Sequence, residues 1–166
     1  MKNLSIITIV AFSLISCATT KKSYDILAKS GSKTNGTITF SQKGNLVKMV
    51  ITANNLTPGL HAVHIHEVGD CSAPDASSAK GHWNPMSQMH GKWGAEQHHN
   101  GDIGNLDADA NGIAKLTFNT DHWCIGCSDP SKNIIGKAII IHAAKDDFTT
   151  QPTGNAGGRI GCIEIK

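Results

Sequence analysis

The stretch Leu60-His61-Ala62-Val63-His64-Ile65-His66-Glu67-Val68-Gly69-Asp70-Cys71 places three imidazoles close together, ahead of a glycine and a cysteine. Residues 60–66 have the period of a β-strand, on which side chains two apart share a face. His64 and His66 therefore point one way, and Val63 and Ile65 point the other way into a core. Two imidazoles one strand step apart can share a metal ion, and neutral imidazole suits copper and zinc. Alone, the pair could equally line a solvated sheet face.

The same period runs outward in both directions. Thr37–Ser41 alternates, residues 42–45 read as a turn, and Leu46–Thr52 follows, which predicts a hairpin. Residues 54–59 form a second turn leading into the opening stretch, and further strands are expected over 113–118, 136–142 and 159–165. No long amphipathic helix is expected. The 166 residues suit one domain. Short strands with Gly, Asn and Pro turns predict an all-β sandwich or barrel. Two segments, 69–101 and 143–158, do not read as strands; loops this long in a compact domain are commonly functional. Basic residues number 15 and acidic residues 13, so no strong field for nucleic acid is implied.

At the N-terminus, residues 1–16 carry one lysine and then an apolar run too short for a comfortable membrane span, and they read as an export signal. Leu14-Ile15-Ser16-Cys17 resembles the lipobox of bacterial lipoproteins. That resemblance implies lipidation of Cys17, membrane attachment through it, and a place in the cell envelope or periplasm. The alternative is an ordinary signal cleaved near Ala18. Residues 17–23 are expected to be a short polar tether, with the folded domain over 24–166. The other four cysteines, Cys71, Cys124, Cys127 and Cys162, allow three complete pairings, and spacing does not choose among them.

Nine histidines are present, and seven lie between His61 and His99. His142 closes an apolar run, where it can supply a third ligand beside His64 and His66 from a neighbouring strand. The long segment adds His82, His90, His98, His99 and Asp102. Three imidazoles and one carboxylate from that set make a reasonable four-coordinate zinc site.

These pieces, with Gly81-His82-Trp83-Asn84-Pro85, His90-Gly91, His99 through Asn105, Ile141 through Asp147 and Gly154 through Cys162, resemble the copper,zinc superoxide dismutases of the exported bacterial kind. The resemblance runs from about Gly36 to the end of the chain. It implies a Greek-key antiparallel β-sandwich or flattened barrel of about eight strands with two long functional loops. It implies one copper and one zinc ion per subunit: copper on His64, His66, His82 and His142, and zinc on His82, His90, His99 and Asp102. His82 would bridge the two metals. His61 falls at a variable position and is set aside as a bystander. His98 competes with His99 for the zinc position, and the spacing to Asp102 favours His99. Asp146, rather than Asp147, resembles the carboxylate that links a copper ligand to a zinc ligand. Arg159, the only arginine, resembles the channel residue that attracts and holds the substrate anion. Thr153 resembles the residue that narrows the channel mouth, and Cys71 with Cys162 the family's disulfide. The implied reaction is dismutation of superoxide to dioxygen and hydrogen peroxide by copper cycling between Cu(II) and Cu(I), protecting the envelope. The assembly is left open between monomer and homodimer.

Two features depart from that pattern. Cys124-Ile125-Gly126-Cys127 can be redox-active or metal-binding. With no other thiol pair to support a structural zinc, a local disulfide clipping the turn is preferred over free thiols and over thiol exchange. The 143–158 loop carries Lys145, Asp146 and Asp147 and then only neutral residues up to Arg159, so steering charge there is expected to be sparse. A metal-binding protein without turnover and a hydrolytic zinc enzyme are the rival readings. The first is opposed by the presence of both His82 and Arg159, and the second by a zinc set that has no open position.

Overall fold

A computed structural model describes residues 19–166; the expected signal over 1–16 and Cys17 lie outside the described residues. The strands in chain order are β1 (Thr20–Asp25), β2 (Leu27–Ala28), β3 (Asn35–Lys43), β4 (Leu46–Asn54), β5 (Gly59–His66), β6 (Asp102–Ala108), β7 (Ala114–Thr120), β8 (Ala138–His142) and β9 (Arg159–Glu164). Among the described residues, the one helical element is a 3₁₀ turn at Ser77–Ala79. The strands make one antiparallel sheet in the order β1-β3-β4-β7-β6-β5-β8-β9-β2. The β5, β6 and β7 strands form a meander, with β4 returning beside β7 and β8 beside β5. This is the Greek-key arrangement expected from the sequence.

The sheet curls almost shut. β1 pairs with β3 at one edge and β2 pairs with β9 at the other, so a single stretch of chain crosses between the two edges. The Tyr24 hydroxyl and the Lys22 ammonium donate to the Lys166 carbonyl across that seam. The barrel is flattened where β6 and β7 meet at the single pair Ala108↔Ala114. Of the residues expected to form a polar tether over 17–23, those from Thr20 onward lie in β1, which pairs with β3 from Thr20↔Gln42 to Asp25↔Thr37. One face of this strand is exposed and the other is half-buried at Lys22 and Tyr24, where Tyr24 packs against the core.

Alternation fills the interior. Ile38 and Phe40 of β3, Val47, Met49 and Ile51 of β4, Val63 and Ile65 of β5, and Ile139 and Ile141 of β8 belong to one buried cluster. β8 is buried along its whole length because its other face is covered too. Ile140 packs with Cys71, Ala76, Ala79 and Cys162 in a second cluster. Residues 69–80 of the β5–β6 connection therefore lie over β8, and the Cys71–Cys162 disulfide pins them there across 91 residues. Closing so long a loop is worth about 4–5 kcal/mol in the chain-entropy model.

The same connection is laced to the end of β5. Trp83 N–H donates to Ile65 O at 2.8 Å, Gly101 N–H to Trp83 O at 3.0 Å, and Ile65 N–H to Gly101 O at 2.9 Å. Gly101 is required by this approach: a Cβ there would lie 2.2 Å from Ile65 O. Replacing Cys71 and Cys162 together by alanine is expected to lower the unfolding free energy by about 4 kcal/mol, read by equilibrium urea unfolding. A loss below about 1 kcal/mol would mean that packing alone holds the loop.

Candidate metal centre

The β-strand period, the β5–β6 connection and the end of β8 bring two buried clusters together. One contains His64, His66, His82 and His142, and the other His82, His90, His99 and Asp102. Within each cluster one ligand atom per residue lies within 4.8 Å of the rest, and His82 belongs to both. His64 and His66 come from the outward face of β5, and His142 ends the neighbouring β8. His82 forms an isolated bridge with His66, so its placement follows from the lacing around Ile65 and Gly101. Asp102 begins β6.

Each ring in the first cluster has one nitrogen fixed from outside. His64 Nε2 donates to Asp146 Oδ2 at 2.9 Å, and His66 Nδ1 to Lys80 O at 2.9 Å. His82 Nδ1 lies 3.0 Å from Asp102 Oδ1, and His142 Nδ1 lies 3.3 Å from Gly157 O. The opposite nitrogens, His64 Nδ1, His66 Nε2, His82 Nε2 and His142 Nε2, are buried without any hydrogen-bond partner. Buried polar atoms are rarely left in that state. Four converging lone pairs are satisfied together by a cation, and an all-imidazole set suits copper or zinc.

The second cluster follows the same rule. His90 Nε2 donates to Asp146 Oδ1 at 2.9 Å and His99 Nε2 to Gln88 O at 3.1 Å, which turns both Nδ1 atoms inward. His90 Nδ1 lies 3.0 Å from Asp102 Oδ2 but is not aligned to bond with it. His99 Nδ1 lies 3.3 Å from His82 Nδ1. Three nitrogens and one carboxylate oxygen facing one point fit a closed tetrahedral zinc set. Asp102 Oδ2 also accepts the Gly91 and His99 backbone N–H groups at 3.1 and 2.8 Å.

Asp146 spans the two clusters through His64 and His90. Its backbone is clamped by the Asn105 side chain, which accepts from Asp146 N at 2.8 Å and donates to Asp146 O at 3.1 Å. Asp147 instead caps its own turn by accepting from Thr149 and Thr150. His98 packs against Trp93 with ring centroids 4.7 Å apart and planes tilted by 45°, and it is outside both clusters. Arg159 is the β9 partner of His142, and its guanidinium donates to Ala76 O and Lys80 O at 2.6 Å each. Lys80 O thus holds both Arg159 and the His66 ring. Thr153 lines a cavity of about 360 Å³ together with His82, Glu67 and Gln151.

Two residues gain roles that the sequence reading did not give them. His61 places Nδ1 2.8 Å from His142 O and Nε2 2.8 Å from Thr57 O, tying the end of β8 to the β4–β5 turn. Its parity with Val63 and Ile65 was the available signal. Gln151 grips the His90 backbone at both ends, accepting from its N–H and donating to its carbonyl at 2.8 Å each. Nothing in an exposed polar loop announces that contact.

Burial shapes the charge states. It pushes His82 down to about 4 despite the Asp102 carboxylate. Burial, with the neighbouring His64, takes His142 down to about 3. It also holds His66 well below the ordinary imidazole range, with His82 adding to the effect. For His90, burial is outweighed by Asp102 and Asp146, which raise it to about 9. Burial would likewise raise Asp102 and Asp146, but the imidazoles bonded to them keep both carboxyls well below the usual range. His66, His82 and His142 are thus kept neutral, the form that can ligate.

Two outcomes are expected. In the metal-free protein, His82 and His142 stay neutral when folded but take up protons near pH 6.5 when unfolded. Their contribution is present above that pH and is lost as pH falls toward 4. The His90 contribution is already complete below 6.5 and is lost only as pH rises through about 9. Thermal melting of the metal-free protein should therefore drop steadily from pH 6.5 to 4; a flat profile would contradict neutral burial. The second concerns Gly154, which has φ +69° and whose added Cβ would lie 1.9 Å from Asp146 Oδ1 and 2.6 Å from His90 Nε2. Gly154→Ala should break that link and weaken zinc binding by about 10- to 100-fold, read by chelator competition.

Comparison with known proteins gives a consistent result. The family model described as copper/zinc superoxide dismutase (SODC) matches residues 34–165. "Superoxide dismutase [Cu-Zn] 1" of Aquifex aeolicus (strain VF5) is 35% identical over 162 residues, covering 95% of this chain and 94% of that one. "Extracellular superoxide dismutase [Cu-Zn]" of Brugia pahangi is 36% identical over 146 residues, covering 82% of this chain and 71% of the relative. Among solved structures, a double mutant of a SOD-like protein from Bacillus subtilis superposes with a TM-score of 0.76 at 34% identity, over 87% of this chain and 97% of that one. On the matched family model and these relatives, the chain belongs to the copper/zinc superoxide dismutase family.

Proposed function

We propose that the chain is a superoxide dismutase that binds one copper ion at His64, His66, His82 and His142, and one zinc ion at His82, His90, His99 and Asp102. The observation that carries this reading is the His82 ring, which turns Nδ1 to the oxygen-containing set and an unpartnered Nε2 to the all-imidazole set. Copper bound there would supply the one-electron chemistry for oxidising one superoxide to dioxygen and reducing a second, with two protons, to hydrogen peroxide.

The chain's own residues do the rest. His64, His66 and His142 are locked by their outer hydrogen bonds, so little reorganisation accompanies ligation. His82 is held at Nδ1 on the Asp102 side and can carry a proton at Nε2, which suits it to deliver one of the two protons that peroxide requires. Arg159 presents a fixed positive charge beside His142, suited to attracting and orienting a small anion. Thr153 narrows the approach past His82. Asp146 sets the tautomers of His64 and His90 together. The signal over 1–16, with lipidation at Cys17 and the folded domain from the early twenties onward, would deliver this activity to the cell envelope. Two disulfides in one small chain agree with an oxidising compartment.

The test is superoxide consumption by purified protein, with copper and zinc quantified on the same sample. Fast turnover with near-equal copper and zinc is expected. His66→Ala should lose copper and turnover together, and an active variant would sink the copper assignment. Arg159→Ala should keep its copper and lose about tenfold or more in rate at low salt, with a flatter salt dependence. Full metal loading without turnover would mark a binding protein.

A further inference from the structure

Cys124 and Cys127 form a disulfide that the dismutase reading leaves without a task. It differs from Cys71–Cys162 in three respects. Cys71 and Cys162 are buried at 4% and 0% exposure, whereas Cys127 is only half-buried. Cys124 and Cys127 both line a cavity of about 280 Å³ whose walls include Asp121, Trp123 and Lys132. The bond closes a separation of 3 residues rather than 91, so far less loop entropy rests on it.

The scaffold around the two sulfurs holds them independently of the bond. Cys124 N–H donates to Lys132 O at 2.8 Å, and Ile134 N–H donates to Cys124 O at 3.1 Å. The Asn133 side chain donates to Cys127 O and accepts from Gly126 N–H, both at 3.0 Å. None of these contacts uses sulfur. With the bond open, the two Cα atoms stay near their 5.9 Å separation, within the range a disulfide spans.

We propose that Cys124–Cys127 is a thiol–disulfide exchange site, separate from the metal centre, whose substrates are compact thiols and dithiols. A dithiol's thiolate attacks Cys127 Sγ, the more accessible sulfur. The Cys124–Cys127 bond breaks, and Cys124 leaves as a thiolate that takes a proton from water. The dithiol's second thiol then loses its proton and attacks its own sulfur in the mixed disulfide, releasing Cys127 as a thiolate that is protonated in turn. The protein gains two electrons and two protons, and the dithiol ends as a disulfide. The Lys132 ammonium, in the same cavity, favours the leaving thiolate. The reverse sequence, with an oxidised dithiol, closes the bond again.

The test uses the metal-loaded protein, treated with dithiothreitol, alkylated with iodoacetamide and mapped by mass spectrometry. Cys124 and Cys127 should be labelled well before Cys71 and Cys162, with copper and zinc retained, and oxidised dithiothreitol should restore the closed pair. With oxidised glutathione, Cys124→Ser should form a mixed disulfide at Cys127 at least about tenfold faster than Cys127→Ser forms one at Cys124. Labelling of Cys124 and Cys127 no faster than Cys71 and Cys162 would overturn the proposal. So would loss of metals on opening, which would make the bond part of the metal centre's support. Equal capture by the two variants would overturn the choice of Cys127 as the attacked sulfur.

Discussion

The arrangement turns on one carboxylate. Asp146 accepts from His64 Nε2 and from His90 Nε2, and so fixes which nitrogen each ring turns inward. One of those rings stands on β5 and the other on the long β5–β6 connection, while Asp146 belongs to the β8–β9 loop. A single buried acid therefore ties three separate segments to one geometry. Its own backbone is held by Asn105 of β6, so the tie is anchored to the barrel and not to another loop. The cost of burying a carboxylate is offset because both oxygens meet N–H donors.

The barrel supplies the rigid base and the connections supply the chemistry. Residues 69–80 are pinned by Cys71–Cys162, and they present the Ala76 and Lys80 carbonyls that hold the Arg159 guanidinium. The Lys80 carbonyl also holds the His66 ring. The disulfide, the Arg159 guanidinium and the His66 imidazole thus share one support. Gln151 and Gly154 perform the matching task on the other side, where the β8–β9 loop closes over His90 with no room for a side chain at position 154.

Strand periodicity was legible wherever one face is buried and the other is not, as in β3 and β4, and in β5, where both faces are buried, because imidazoles alternate with apolar residues. It failed at β1, which is mostly polar and only half-buried at Lys22 and Tyr24, and at β6, whose Asp102, Gly104, Asn105 and Asp107 are poor strand formers. β6 forms because it pairs with β5 along Gly59↔Ala108 to His64↔Asp102, a decision made by the partner strand. Among the site residues, the histidines and Asp102 were legible because seven of nine imidazoles crowd one segment. Gln151 and Asn105 were not, because each acts through backbone contacts to residues about 61 and 41 positions away, and such contacts leave no local pattern.

The sequence by itself determined the all-β class, the Greek-key resemblance, the ligand types and their order along the chain. The class and the candidate ligand types follow from side-chain chemistry and from a period of two, both of which are local, and the Greek key was implied by the family resemblance. Only the tertiary structure decided which nitrogen of each ring faces inward, because that depends on the hydrogen-bond partner of the opposite nitrogen, supplied by Asp146, Lys80, Asp102, Gly157 or Gln88. It decided that His99 enters the cluster while His98 packs against Trp93, since adjacent residues of a turn face different neighbours. It also gave His61 a structural tie to His142. A contact between residues 81 positions apart exists only once the barrel has brought their strands together.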